Sequence, residues 1–102
     1  MPPEAGLVWN IDQVQGPSAA HKDSDIAAVS RFATNSEAFW FAPQPAIKAA
    51  FWYDDGQGWR PYAVPARRPN APTSGIAALS RIPNSMESWW IGAEGTVEGA
   101  FW

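Results

Sequence analysis

Apolar positions along this chain come in short blocks, too brief for a helix and without helical spacing. IAALSR is compact and apolar, MESWWIG is rich in aromatics, and TVEGAFW ends on two large rings. GWRPYAV, earlier in the chain, is a fourth block of the same kind. Between the blocks stand turn signals. PNS and AEG separate the first three, and DDGQG makes a tight reversal, because Asp-Gly and Gly tolerate positive φ. Aromatic and β-branched blocks bounded by such residues predict strands. Pro61 within GWRPYAV removes a backbone donor, which places that strand at a sheet edge. The connector PARRPNAPTSG reads as irregular.

The pattern occurs twice. Shifted by fifty positions, the sequence aligns on itself without a gap. IAAVSR (26–31) falls on IAALSR (76–81), Glu37 on Glu87, Trp40 on Trp90, and the triplet 50–52 on 100–102. Gly6, Trp9, Val14 and Ser24 fall on Gly56, Trp59, Val64 and Ser74. A four-stranded meander repeating near fifty residues predicts β-propeller blades, with the Ala-rich first strand innermost, where the taper leaves little room. The fold class expected is therefore all-β, built from four-stranded antiparallel blades, two to a chain. Residues 26–64 form the first blade and 76–102 the first three strands of the second, with connectors at 16–25 and 65–75. Residues 1–15 carry the register of a fourth strand, through Trp9 on Trp59 and Val14 on Val64. Two blades cannot close a ring, since both outer faces stay open. The expectation is that the 1–15 segment completes the second blade of a neighbouring copy and that symmetric homo-oligomerisation closes the ring. A trimer of paired blades makes six and is favoured; a tetramer makes eight.

Composition narrows the function. The chain has 102 residues, net charge -3 and no cysteine, which excludes a disulfide framework and thiolate chemistry and argues against a phosphate-binding, nucleic-acid surface. The one basic pair, Arg67-Arg68, sits among prolines in a connector. No apolar run suits a membrane span, and no signal peptide is apparent, so localisation stays open. Catalysis finds little support. His21, the sole histidine, falls in a connector, and Asp54-Asp55 and Asp23-Ser24-Asp25 read as turn residues. No cluster has metal-ligand spacing, so neither an enzyme nor a cofactor is expected. What stands out is seven Trp in so short a chain. Packing between blades absorbs most of them, Trp52, Trp89 and Trp102 among them.

SRIPNSMESWWIGAEGTVEGAFW, with the YDDGQGW that follows the first AFW, resembles blades of the PLL-like bacterial β-propeller lectins. The resemblance spans most of residues 26–102, and residues 6–15 resemble a fourth strand of the same blade. It implies rings that bind fucose and related, sometimes O-methylated, sugars between blades. Members of that family look like seven-bladed single-chain rings, a number that paired blades do not reach. FWYDDGQGW is more loosely similar to fucose lectins of fungi and bacteria, some of which build six blades from three two-bladed chains. The first unit departs from the pattern where Ser36 stands for Met86 and Pro45 for Gly95.

A lectin needs an aromatic face for the C–H patch of a sugar and charged groups that fork onto hydroxyl pairs. Arg31 with Glu37, and Arg81 with Glu87, flank the first hairpin of each unit. They read as hydroxyl clamps beside Trp40 and Trp90; the competing reading is a cross-strand ion pair worth under about 1 kcal/mol that pins the hairpin. Trp9 and Trp59, on the outer strand beside a Gly-rich turn, are candidate stacking platforms or packing residues. The two functions that remain are a multivalent carbohydrate-binding lectin and a propeller scaffold without sugar sites.

Overall fold

A computed structural model describes residues 11–44, 46–66 and 74–102. Its order is β1 (Ile26–Val29), β2 (Asn35–Phe41), β3 (Ile47–Tyr53) and β4 (Arg60–Val64), then β5 (Ile76–Leu79), β6 (Glu87–Ile91) and β7 (Val97–Phe101). Strands β1 to β4 form one antiparallel meander in chain order, and β5 to β7 a second. The described residues contain no helix. Thus the all-β class and the strand assignments hold, and β4 with Pro61 lies at a sheet edge.

The fifty-residue register survives in the ladders. Ile26 pairs with Trp40 as Ile76 pairs with Trp90, and Glu37 with Phe51 as Glu87 with Phe101. Turn bonds repeat as well. The Ser24 hydroxyl accepts the Phe41 amide at 2.8 Å, and the Ser74 hydroxyl that of Ile91 at 3.3 Å. Ser30 and Ser80 each donate to the carbonyl two residues on, at 2.6 and 3.0 Å. In the β3–β4 turn, Asp55 caps the Gln57 amide and Gly56 takes a φ of 76°. A left-handed residue there costs glycine nothing and any other side chain something. The two units are therefore the same local structure, dictated by the same turn chemistry.

The sheets meet face to face, with β1 against β5. Alternation along β2 sends Glu37, Phe39 and Phe41 to one face and Ser36, Ala38 and Trp40 to the other. Phe39 and Ala49 pack on Met86, with Ile76 and Ala78 alongside; Phe41 and Ile47 pack on Trp90 and Ala100. Burial of an aromatic or branched aliphatic side chain is worth about 1.5–3 kcal/mol, so Phe39, Phe41 and Ile47 anchor this contact.

The opposite face of the first sheet carries Ala38, Trp40 and Ala50, covered by Val14 and Trp59. Residues 11–15 form no strand within the single chain. Even so, Val14 meets Trp40 as Val64, fifty residues on, meets Trp90. The Trp40 indole donates to the Ala19 carbonyl at 3.1 Å, and the Trp59 indole to Asp12 at 2.9 Å. Segment 11–19 thus lies across the first sheet where, on the second sheet, the end of β4 lies. Residues 1–10, and with them Trp9, fall outside the described residues, as do Arg67 and Arg68.

The far face of the second sheet is bare among the described residues. Its Trp89, Ile91 and Val97 are 41%, 39% and 76% exposed, while their counterparts Phe39, Phe41 and Ile47 are at 1%, 0% and 0%. Phe101 and Leu79 are exposed on the same face. One substitution pair keeps the geometry of this face. Where Phe39 pairs with Ala49, the larger Trp89 pairs with Gly99 and lies so close over it that an added Cβ would stand 2.7 Å from the ring.

Candidate ligand site between the two sheets

Where the sheets splay apart, a cavity of about 220 Å³ opens between them, lined by Arg31, Glu37, Phe51, Tyr53, Tyr62, Met86 and Trp102. Its origin is local. Glu37 and Phe51 are directly paired on β2 and β3, so both side chains reach the face that meets the second sheet. Arg31 sits in the β1–β2 turn, whose backbone is held by the Asn35 carboxamide on the Arg31 amide at 3.0 Å. From there its guanidinium reaches back to Glu37. Met86 and Trp102 come from the second sheet, tied to each other by the Trp102 amide on the Met86 carbonyl at 2.8 Å.

The two arginine–glutamate pairs form across their hairpins. Arg31 Nε bonds the Glu37 carboxylate, and Arg81 Nε bonds that of Glu87. The environments of the two pairs differ. The Arg31 and Glu37 side chains are 8% and 3% exposed, whereas Arg81 is 66% exposed and Glu87 13%. Around the buried pair each guanidinium nitrogen and each carboxylate oxygen has a partner. Arg31 Nη1 donates to Asn84 Oδ1 in the second sheet's turn, and Nη2 to the Tyr53 hydroxyl at 2.6 Å. The Tyr62 hydroxyl donates to Glu37 Oε1 at 2.8 Å and lies 3.8 Å from the Met86 sulfur. The Arg31 carbonyl also bonds across, accepting the Asn84 amide at 3.0 Å.

Electrostatics follows from these contacts. Burial works against the Arg31 charge, but the bonds to Glu37 and Tyr53 outweigh it and hold the guanidinium above its ordinary pKa. Burial, reinforced by the Glu37 carboxylate, pushes the Tyr62 phenol well above the ordinary tyrosine range, so it stays a donor. A second charged layer flanks the site. Arg60 bonds Asp55 at 2.9 Å and lies 4.6 Å over the Phe51 ring and 5.1 Å over that of Tyr53. Phe51 in turn tilts against Tyr53 and Tyr62, 5.2 and 5.8 Å between ring centres.

Trp40 and Trp90 do not join the clamps. Each sits one position off the parity of the glutamate on its strand, so it lies on the opposite sheet face. Trp40 is buried under Val14, and Trp90 in the contact between sheets. Trp59 packs on the Trp40 side, away from the cavity. The aromatic walls are instead Phe51, Tyr53, Tyr62 and Trp102. Trp102 had the register of a core residue. Tyr53 and Tyr62 were findable in principle, because the parity of Glu37 with Phe51 places the end of β3 and the facing part of β4 over the clamp.

Elsewhere, the His21 ring accepts the Asp23 amide at 3.1 Å, a turn contact. Among the described residues no three acidic, histidine or cysteine side chains gather as a metal site would require. Models of protein families, curated proteins and solved structures offer no match to this chain.

Proposed function

We propose that this chain is a carbohydrate-binding lectin that performs no chemistry, its two sheets being neighbouring blades of a propeller ring closed by further copies. The observation that carries the proposal is the cavity between the sheets. There a guanidinium–carboxylate pair is ringed by aromatic side chains, the two kinds of group a sugar needs. At about 220 Å³ it falls below the roughly 300–1,000 Å³ of drug-sized pockets and suits a single small ring. Fucose or an O-methylated sugar is the substrate class implied by the resemblance of SRIPNSMESWWIGAEGTVEGAFW to the PLL-like lectins.

Two observations support assembly. The exposed Leu79, Trp89, Ile91, Val97 and Phe101 are the register counterparts of the face that the first sheet buries against the second. And Val14 already occupies, on Trp40, the position that Val64 occupies on Trp90, where the fourth strand of a preceding blade belongs. Residues 6–15 of one copy would then pair with β7 of the next, giving six blades in a trimer or eight in a tetramer.

Native mass spectrometry and calorimetric titration with L-fucose and a 2-O-methyl fucoside test the reading together. The expected result is a closed oligomer, trimer before tetramer, with Kd of roughly micromolar to millimolar per site, as few contacts on a small ligand allow. A stable folded monomer at micromolar concentration refutes the ring, and an assembled ring inert to both sugars refutes the lectin. A scaffold without sugar sites is the second reading, favoured by one observation: each of the three Arg31 nitrogens already has a protein partner.

A further inference from the structure

The cavity that holds the Arg31–Glu37 pair has a neighbour behind three of its walls. Tyr62, Met86 and Trp102 also line a second cavity between the same two sheets, of about 240 Å³. The two differ in character. The first contains an ion pair and two phenols. In the second, Phe39 and Val64 of the first sheet stand opposite Met86 and Ala100 of the second. Tyr62 spends its hydroxyl on Glu37 at 2.8 Å, so what it presents to the second cavity is its ring. Phe39 meets that ring edge-on, with 6.5 Å between centres.

Ser88 is set into this apolar lining. It is directly paired with Ala100, so both side chains point at the first sheet. Ser88 is 2% exposed, and its hydroxyl has no hydrogen-bond partner among the described residues. Its register counterpart in the first unit is Ala38, so the repeated strand does not itself call for a hydroxyl here. A buried hydroxyl without a partner opposes folding, and such groups in native structures call for an explanation.

We infer that the second cavity is an annex of the sugar site and takes an aromatic group carried on the sugar, so that the ligand is an aryl glycoside and Ser88 meets an oxygen of it. This rests on the lectin reading and deepens it: the sugar stays in the cavity beside Arg31 and Glu37, and the annex selects what is attached to it. Volume supports an aryl group. An apolar cavity of about 150 Å³ holds a benzene ring, and this one, at about 240 Å³, has room for a substituted ring. A lone methyl substituent leaves most of that space empty. The walls suit an aromatic guest, since Phe39 and Tyr62 offer edges and faces and the Met86 thioether packs well on rings. The charged pair stands on the other side of Tyr62 and Met86, so the group in the annex is neutral. An oxygen on that group, or the glycosidic oxygen itself, supplies the partner that the Ser88 hydroxyl lacks.

The test uses the full chain as the assembled oligomer, with calorimetric titration of L-fucose, methyl α-L-fucoside and phenyl α-L-fucoside. The phenyl glycoside should bind at least about tenfold tighter than the methyl glycoside, because an apolar ring leaving water contributes in proportion to the area it buries. Ser88→Leu fills the annex from its floor and should abolish that preference, with L-fucose affinity, oligomer mass and melting temperature kept. Ala100→Val narrows the annex from the paired strand and should reduce the same preference; it carries the test where Ser88→Leu disturbs assembly. Equal affinity for the phenyl and methyl glycosides overturns the annex and leaves the lectin reading standing. A phenyl preference that survives in both variants overturns it too, since the ring then sits elsewhere. A wild-type oligomer that binds none of the three sugars fails the lectin reading, and the annex with it.

Discussion

Truncating Glu37 tests whether the buried clamp holds the two sheets together. The carboxylate is 3% exposed and accepts from Arg31 and from the Tyr62 hydroxyl. Glu37→Ala leaves a guanidinium buried without its counter-charge and a phenol without its acceptor. Removing one partner of a buried pair typically costs about 3–5 kcal/mol. Here Asn84 and Tyr53 still hold the guanidinium, which places the cost near the lower end, about 3 kcal/mol. Glu87→Ala removes the same carboxylate from an open pair, worth under about 1 kcal/mol. At roughly 4–8 °C per kcal/mol for a chain of this length, Glu37→Ala should lower the melting temperature by about 12–24 °C and Glu87→Ala by a few degrees. Scanning calorimetry at one protomer concentration reads both, since assembly makes the midpoint concentration-dependent. Equal shifts for the two variants would refute this role for the buried pair, because only burial and the Asn84, Tyr53 and Tyr62 bonds distinguish it from the open one.

The raised pKa of Tyr62 predicts alkaline sensitivity: the folded state holds the proton more tightly than the unfolded chain, so this stability is full below about pH 10 and lost as pH climbs through the raised value. Urea titrations from pH 8 to 11 should show the fall, and Tyr62→Phe should flatten it; an unchanged slope in that variant would place the effect elsewhere. Gly99→Ala puts a methyl group 2.7 Å from the Trp89 ring, which must swing outward at a cost of about 1 kcal/mol. Because that ring lies on the proposed docking face, near-UV circular dichroism should change and the oligomer should weaken; an unaltered spectrum and mass would count against the close contact. Deleting residues 1–15 strips Val14 from Trp40 and the Asp12 acceptor from Trp59. The truncated chain should lose the ring mass, and a 1–15 peptide added in trans should partly restore it; identical mass and melting temperature would show that the segment is not the missing strand.

Sequence alone determined the local structure. Turn residues, aromatic blocks and the fifty-residue period placed the seven strands seen, the edge position of Pro61 and each arginine near its glutamate, along with a further strand at 6–15 whose described part, 11–15, forms none within the single chain. These depend on neighbours close in the chain: a glutamate six residues beyond an arginine across one hairpin meets it whatever the rest of the fold does. Parity along a strand is equally local: it sets Trp40 on the face opposite Glu37, against the expectation of a clamp beside Trp40. Tertiary structure decided what the local pattern left equal. Arg31 and Arg81 have the same strand context and the same partner, yet one is sealed and the other open. The difference lies in whether a second sheet lies over the face, which brings Asn84 to Arg31 from more than fifty residues away. The walls of the cavity, Met86 and Trp102 from one sheet with Phe51, Tyr53 and Tyr62 from the other, likewise exist only in the contact between sheets. Burial makes the same ion pair costly to break, and burial is a property of the packed molecule, not of any segment.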